Sequence, residues 1–247
     1  MWLIEGVVAN VVTLIVLYLV GRLVYRVVVR TNLKDFFHLG PSGLVVYASR
    51  LAVMPGGSLG RIGLPLSYGG DALPEYELES VNKIERFLSG FHPTSNGSAG
   101  VLGQLRWQDT SLEVKLAPAA PGGNITEPGC LISIGSPGYN TVSQWIETRF
   151  PDLAVFTATG EMAITGAGSS NSGEAFIVQR AIVPDSEICV FYCAGLSVFG
   201  TTAAVDYLLA NWKILHKRYE ASVNFALIGE TDSVTGLFKR IITEKSG

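Results

Sequence analysis

Cys130-Leu131-Ile132-Ser133-Ile134 runs directly into Gly135-Ser136-Pro137-Gly138-Tyr139-Asn140, after which Val142, Trp145, Ile146 and Phe150 recur at helical spacing. A short apolar run with no polar face, then a glycine turn, then a helix, is the pattern of a central strand in a parallel sheet. Asn140 or Thr141 is the expected helix cap, because a short side-chain oxygen can accept the first free amides.

The pattern occurs twice more. Leu44-Val45-Val46-Tyr47-Ala48 is a buried strand, followed by a glycine-rich segment over 49–74 and an amphipathic helix over 76–91. In that helix Leu78, Val81, Ile84, Phe87 and Leu88 form the apolar face, with Glu77, Glu79, Lys83, Glu85 and Arg86 largely on the others. Residues 188–193 form a third apolar strand and turn through 194–200 into a helix over 201–219. Alternation of strand and helix predicts a Rossmann-like three-layer α/β domain with a mostly parallel sheet. Between these units the sequence predicts short strands over 101–107 and 111–116, a hairpin of 154–157 with 161–164, and a flexible loop over 166–173. A strand over 174–183 and a last strand over 223–228 complete the reading.

Residues 1–21 are almost uninterruptedly apolar, and as a helix they would be about 30 Å long, the hydrocarbon thickness of a bilayer. A cleavable signal peptide fits less well, since it carries an n-region of basic residues and a small-residue cleavage site, and neither is present. Arg22, Arg26, Arg30 and Lys34 all follow the span, which predicts an outward N-terminus and a cytosolic C-terminal domain in the cell membrane, with the guanidinium groups among anionic headgroups. The expected division is 1–30 as transmembrane and juxtamembrane helix, 31–42 as linker and 43–247 as the α/β domain.

A net charge of −3 with only 16% charged residues offers no basic field for nucleic acid. Cys130, Cys189 and Cys193 are an odd set, and four residues of strand hold the last two about 13 Å apart, too far to bridge. His38, His92 and His216 match no metal-ligand spacing, so neither metal nor cofactor is expected.

Two strand-to-helix junctions have the composition of anion sites. Gly135, Ser136, Gly138, Asn140 and Thr141 would lie at a helix N-terminus, where amides and the helix dipole favour a phosphate. Gly195, Ser197, Gly200, Thr201 and Thr202 have the spacing of a phosphate-binding loop, but Thr201 replaces the lysine needed for nucleoside triphosphate hydrolysis. Ser49 and Arg50 follow the first strand, and Arg61 lies further along the same segment; an arginine fork there could hold a phosphate or carboxylate.

Together the segments Gly135-Ser136-Pro137-Gly138-Tyr139-Asn140-Thr141-Val142-Ser143 and Ala194-Gly195-Leu196-Ser197-Val198-Phe199-Gly200-Thr201-Thr202-Ala203-Ala204 resemble a loosely defined prokaryotic family. Its Rossmann-like domains carry G-G-P-x-x-N-x-x-[ST] and A-G-x-x-x-x-G-T-x-A-A signatures. The resemblance covers about 128–215, with Ser136 in place of the second glycine. It implies the fold and the pairing of the two loops, and supplies no catalytic residue.

The leading expectation is a single-pass membrane protein that binds a small anionic, nucleotide-derived ligand and acts as a sensor or as a signalling or defence effector, in homo-oligomers if copies associate. A membrane-bound enzyme acting on nucleotides or N-glycosidic bonds is the alternative, with Glu161, Glu174 and Asp206 as available acids and no nucleophile in G-x-S-x-G. A structural, protein-binding anchor is the third.

Overall fold

The computed structural model describes residues 2–40, 43–53, 70–90, 112–118, 129–184, 186 and 188–247. The elements, in chain order, are α1 (Trp2–Phe37), β1 (Leu44–Ala48), β2 (Leu51–Val53), β3 (Gly70–Ala72), α2 (Glu75–Ser89), β4 (Leu112–Leu116), β5 (Cys130–Ile134) and α3 (Thr141–Arg149). They continue with β6 (Ala154–Phe156), β7 (Met162–Ile164), β8 (Gly168–Ser170), β9 (Ala175–Ile182), β10 (Cys189–Gly195), α4 (Val198–Arg218), β11 (Phe225–Thr231) and β12 (Phe238–Ser246). Arg61, the strand expected over 101–107 and most of the 49–74 segment lie outside the described residues.

A seven-stranded sheet has the order β12-β11-β9-β10-β5-β1-β4. β10, β5, β1 and β4 are mutually parallel, with Leu44 level with both Cys130 and Leu112, whereas β9, β11 and β12 join by antiparallel pairing. The sheet is therefore mixed around a parallel centre. β1, β5 and β10 are buried along their whole length, which is why they read as continuous apolar runs. The edges are β4, carrying Glu113 and Lys115, and β12, carrying Lys239, Arg240 and Lys245; charges on edge strands discourage pairing with another chain.

Each face of the sheet has its own core. On one, Val46, Ile132, Phe191 and Leu227 meet Leu33 and Phe36 of α1, Val81 and Ile84 of α2, and Leu208 and Trp212 of α4. On the other, Tyr47, Leu131, Val190 and Ile228 meet Val142 and Ile146 of α3 and Met162 and Ile164 of the small β6-β7-β8 sheet. α2 and α3 thus cover opposite faces.

Three sequence expectations change. The stretch taken as a linker over 31–42 is helical to Phe37, and Leu33, Phe36 and Phe37 are buried in the core. The loop over 166–173 contains β8, which pairs with β7. β11 is not the last strand, because β12 follows it as the sheet edge. Among the described residues one helix, α1, is long and apolar enough to cross a membrane, its most apolar 18-residue window having mean hydropathy 2.0.

Candidate functional site

The chain leaves β1 toward α2 on one face and leaves β5 toward α3 on the other, so the carboxyl ends of these neighbouring strands form a topological switch point. Open α/β sheets bind their ligands at such crevices. At these strand ends Ser49 and Arg50 after β1, the Gly135–Thr141 turn after β5, and Glu77 from the first turns of α2 come together, with Ser49, Glu77, Gly135 and Asn140 buried.

Glu77 is fully buried and accepts two hydrogen bonds from one residue: Ser49 N at 2.6 Å and Ser49 Oγ at 2.7 Å. Burial pushes its carboxyl pKa up, against the opposing pull of the Ser49 bonds. Tyr76 lies beside it and is raised to about 12, by burial first and then by the Glu77 charge. Gly135 sits directly beneath, with φ of 102°. A Cβ there would lie 2.5 Å from Ser49 Oγ and 2.6 Å from Glu77 Oε1, so both backbone conformation and space require glycine.

Asn140 ties the two strand ends together. Its Oδ1 accepts from Val142 N and Ser143 N, capping α3, while its Nδ2 donates to Tyr47 O and Ile134 O. Ser143 Oγ donates to Gly135 O at 2.7 Å, and Gly135 N donates to Cys193 O at 3.0 Å, joining the turn to β10. Ser136 O accepts from Tyr139 N and Asn140 N. The turn is consequently held by its own bonds, and its outward part is Gly138 and Tyr139, both exposed. Arg50 Nε donates to Ala117 O at 2.8 Å, and Thr141 Oγ1 donates to Pro118 O at 2.7 Å, so β1 and α3 both reach the end of β4.

The second junction is used differently. Gly195 and Gly200 lie in close backbone contact: a Cβ on Gly195 would come within 2.6 Å of Gly200 Cα, and one on Gly200 within 2.6 Å of Ala175 O. Thr201 Oγ1 accepts from Gly195 N and donates to Ser197 O, Ser197 Oγ accepts from Gly200 N, and Thr202 Oγ1 donates to Val198 O. Leu196 N donates to Ala175 O. The loop therefore leans on β9, the neighbour of β10 on the side away from β5. Of the expected site residues, Ser49, Arg50, Gly135, Ser136, Gly138, Asn140 and Thr141 gather at the ends of β1 and β5, while Gly195, Ser197, Gly200, Thr201 and Thr202 hold the start of α4 against β9 and β10.

Glu77 was not among the residues singled out by sequence. Its signal was its position: Glu77, Val81, Ile84 and Leu88 follow a helical stripe, and all four are buried. Leu78, expected on that stripe, is 46% exposed. The acids considered earlier are elsewhere: Asp206 pairs with Lys83 at 2.9 Å and Glu174 accepts from Ser172 Oγ at 2.9 Å. Among the described residues no group of three His, Cys, Asp or Glu side chains is placed to hold a metal ion. Comparison with protein-family models and with curated proteins gives no match for this chain.

Proposed function

We propose that this chain is a single-pass membrane-anchored sensor whose Rossmann-like domain binds a small nucleotide-derived ligand in the crevice between β1 and β5. The observation that carries this reading is the switch point itself, where Gly135 lacks a side chain beneath a buried Glu77. Glu77, with both oxygens held by Ser49, fixes the end of β1 beside this turn, and ligands of open α/β sheets bind at such strand ends. The anionic part of the ligand then falls to the exposed Gly138 side of the turn and to the Arg50 fork. Ligand binding at this edge would bear on α2, which packs against α4, and so on the core that holds α1.

The test is a thermal-shift panel of nucleotides and nucleosides against the full chain in detergent. Removing residues 1–39 would strip Phe36 and Phe37 from the core, so the anchor stays. A stabilising compound recovered unchanged, whose effect is lost in Arg50→Ala, supports the sensor. No response to any compound would end the proposal. A second reading draws on the raised pKa of Glu77, the property of a general acid: hydrolysis of an N-glycosidic bond. Chromatography of the same incubations separates the two, since release of a free base is the mark of the enzyme.

A further inference from the structure

α1 does not hang from the domain. It is driven into it. Tyr25 meets Lys213 of α4, with hydroxyl and Nζ 3.1 Å apart; Val29 packs at the margin of the core, and Leu33 and Phe36 are buried. The Phe36 ring lies 5.3 Å from that of Phe191 on the central strand β10. Over the eleven residues from Tyr25 to Phe36 the helix advances about 16 Å, from the outer surface of α4 to the sheet. A helix that plunges inward in this way leaves the surface around its exit facing whatever its apolar half inhabits.

That surface is basic. Arg22 and Arg26 ring the exit on α1 itself, and Lys213 and Lys217 project from the last turns of α4 with Ile214, 62% exposed, between them. α2 ends beside the inner end of α1, where Phe87 contacts Phe37 and Trp212. On α4 the charges divide along the axis, with Asp206 in the first half and Lys213 and Lys217 in the last turns, whereas α2 carries Glu75 and Glu79 at its start and Glu85 beside Arg86 near its end.

We propose that the end of the domain around the α1 exit docks on an anionic phospholipid surface, with Lys213 and Lys217 of α4 at the headgroups and Ile214 beside them. This rests on α1 spanning the bilayer, and adds to it that the domain lies against the leaflet instead of standing free. Clustered Lys and Arg next to a span gain about fivefold in surface association per charge when the leaflet is anionic.

The full chain carrying Ile214→Cys, labelled with an environment-sensitive dye, is reconstituted in phosphatidylcholine nanodiscs with or without phosphatidylserine. The dye's quenching by a headgroup nitroxide lipid is then read. The three native cysteines are buried, so the new thiol takes the label. Strong quenching that requires phosphatidylserine, and a docked-to-undocked ratio lowered at least roughly 25-fold by Lys213→Glu with Lys217→Glu, supports the proposal. A label at Val234→Cys, on the β11–β12 turn, should remain unquenched in both discs. Equal quenching at position 214 with and without phosphatidylserine, or none in either, overturns the docking surface. Release of the chain from cell membranes by alkaline carbonate overturns the spanning helix itself, so the two failures are told apart.

Discussion

Two turns of nearly the same composition end adjacent parallel strands, yet they do opposite things. After β5, glycine leaves room for side chains of other elements: Ser49 and Glu77 meet over Gly135. After β10, glycine leaves room for backbone, and the chain closes on itself with Gly195 against Gly200 and Gly200 against Ala175. A phosphate-loop spacing is thus satisfied in the second turn by close helix packing, whereas the first packs under side chains from β1 and α2. What separates them is what each turn closes on: the β5 turn meets Ser49 and Glu77 from the β1 side, and the β10 turn meets Ala175 of the antiparallel β9.

The contrast can be broken most forcefully at Gly195. In Gly195→Val the added carbons have only backbone to displace, and a loss of about 4 kcal/mol or more is expected, read as failure to fold or as a large drop in denaturation midpoint. Tolerance of valine there would show that the second turn is open after all. Asn140→Ala comes next, because it removes the α3 cap and leaves buried carbonyls of Tyr47 and Ile134 without their donor. About 3 kcal/mol should be lost by the same measurement.

A pH experiment sharpens how firmly α3 is seated. Glu147 Oε1 accepts from Tyr192 OH at 2.8 Å and Phe156 N at 3.1 Å, yet burial raises its pKa from 4.5 to about 7. Since the folded value exceeds the unfolded one, the protonated carboxyl favours folding. Its contribution is complete below about pH 4.5 and is lost as pH rises through about 7. The decline should be on the order of 2 kcal/mol by denaturant titration across that window, and Glu147→Gln should flatten it. An unchanged slope in the variant would place the titrating group elsewhere. The smallest expected effect on stability, about 1 kcal/mol, belongs to Glu77→Gln, which keeps the shape but not the charge. Its larger consequence should be for ligand response in the thermal-shift panel; a response equal to that of the native chain would remove Glu77 from the site.

The central strands were legible because a buried parallel strand has to be apolar on both faces, as Leu44 to Ala48 and Cys130 to Ile134 are. The α3 cap was legible for a similarly local reason: Asn140 sits between a glycine turn and a helical stripe. β8 was not, since Gly168-Ser169-Ser170 contains no apolar residue and becomes a strand only by pairing with β7. β12 was obscured by the charges that protect an edge. Phe36-Phe37-His38-Leu39 looked like a short apolar connector because the turn cluster Gly40-Pro41-Ser42-Gly43 follows so closely, although Phe36 and Phe37 close the helix and turn inward with Leu33. At the site, Ser49, Gly135 and Asn140 announced themselves as turn residues next to strands. Glu77 could not, because its partner Ser49 is 28 residues away and only the fold brings them together.

The unbroken course of α1 into the core has a mechanical corollary. A mast stepped in a hull has no joint at the deck, and whatever leans the mast heels the hull through the same angle. Apolar helices lean when the surrounding lipid film thins and straighten when it thickens. With α1 across a bilayer, as proposed, such a lean would be delivered through Leu33 and Phe36 to Phe191 and the strands beside it.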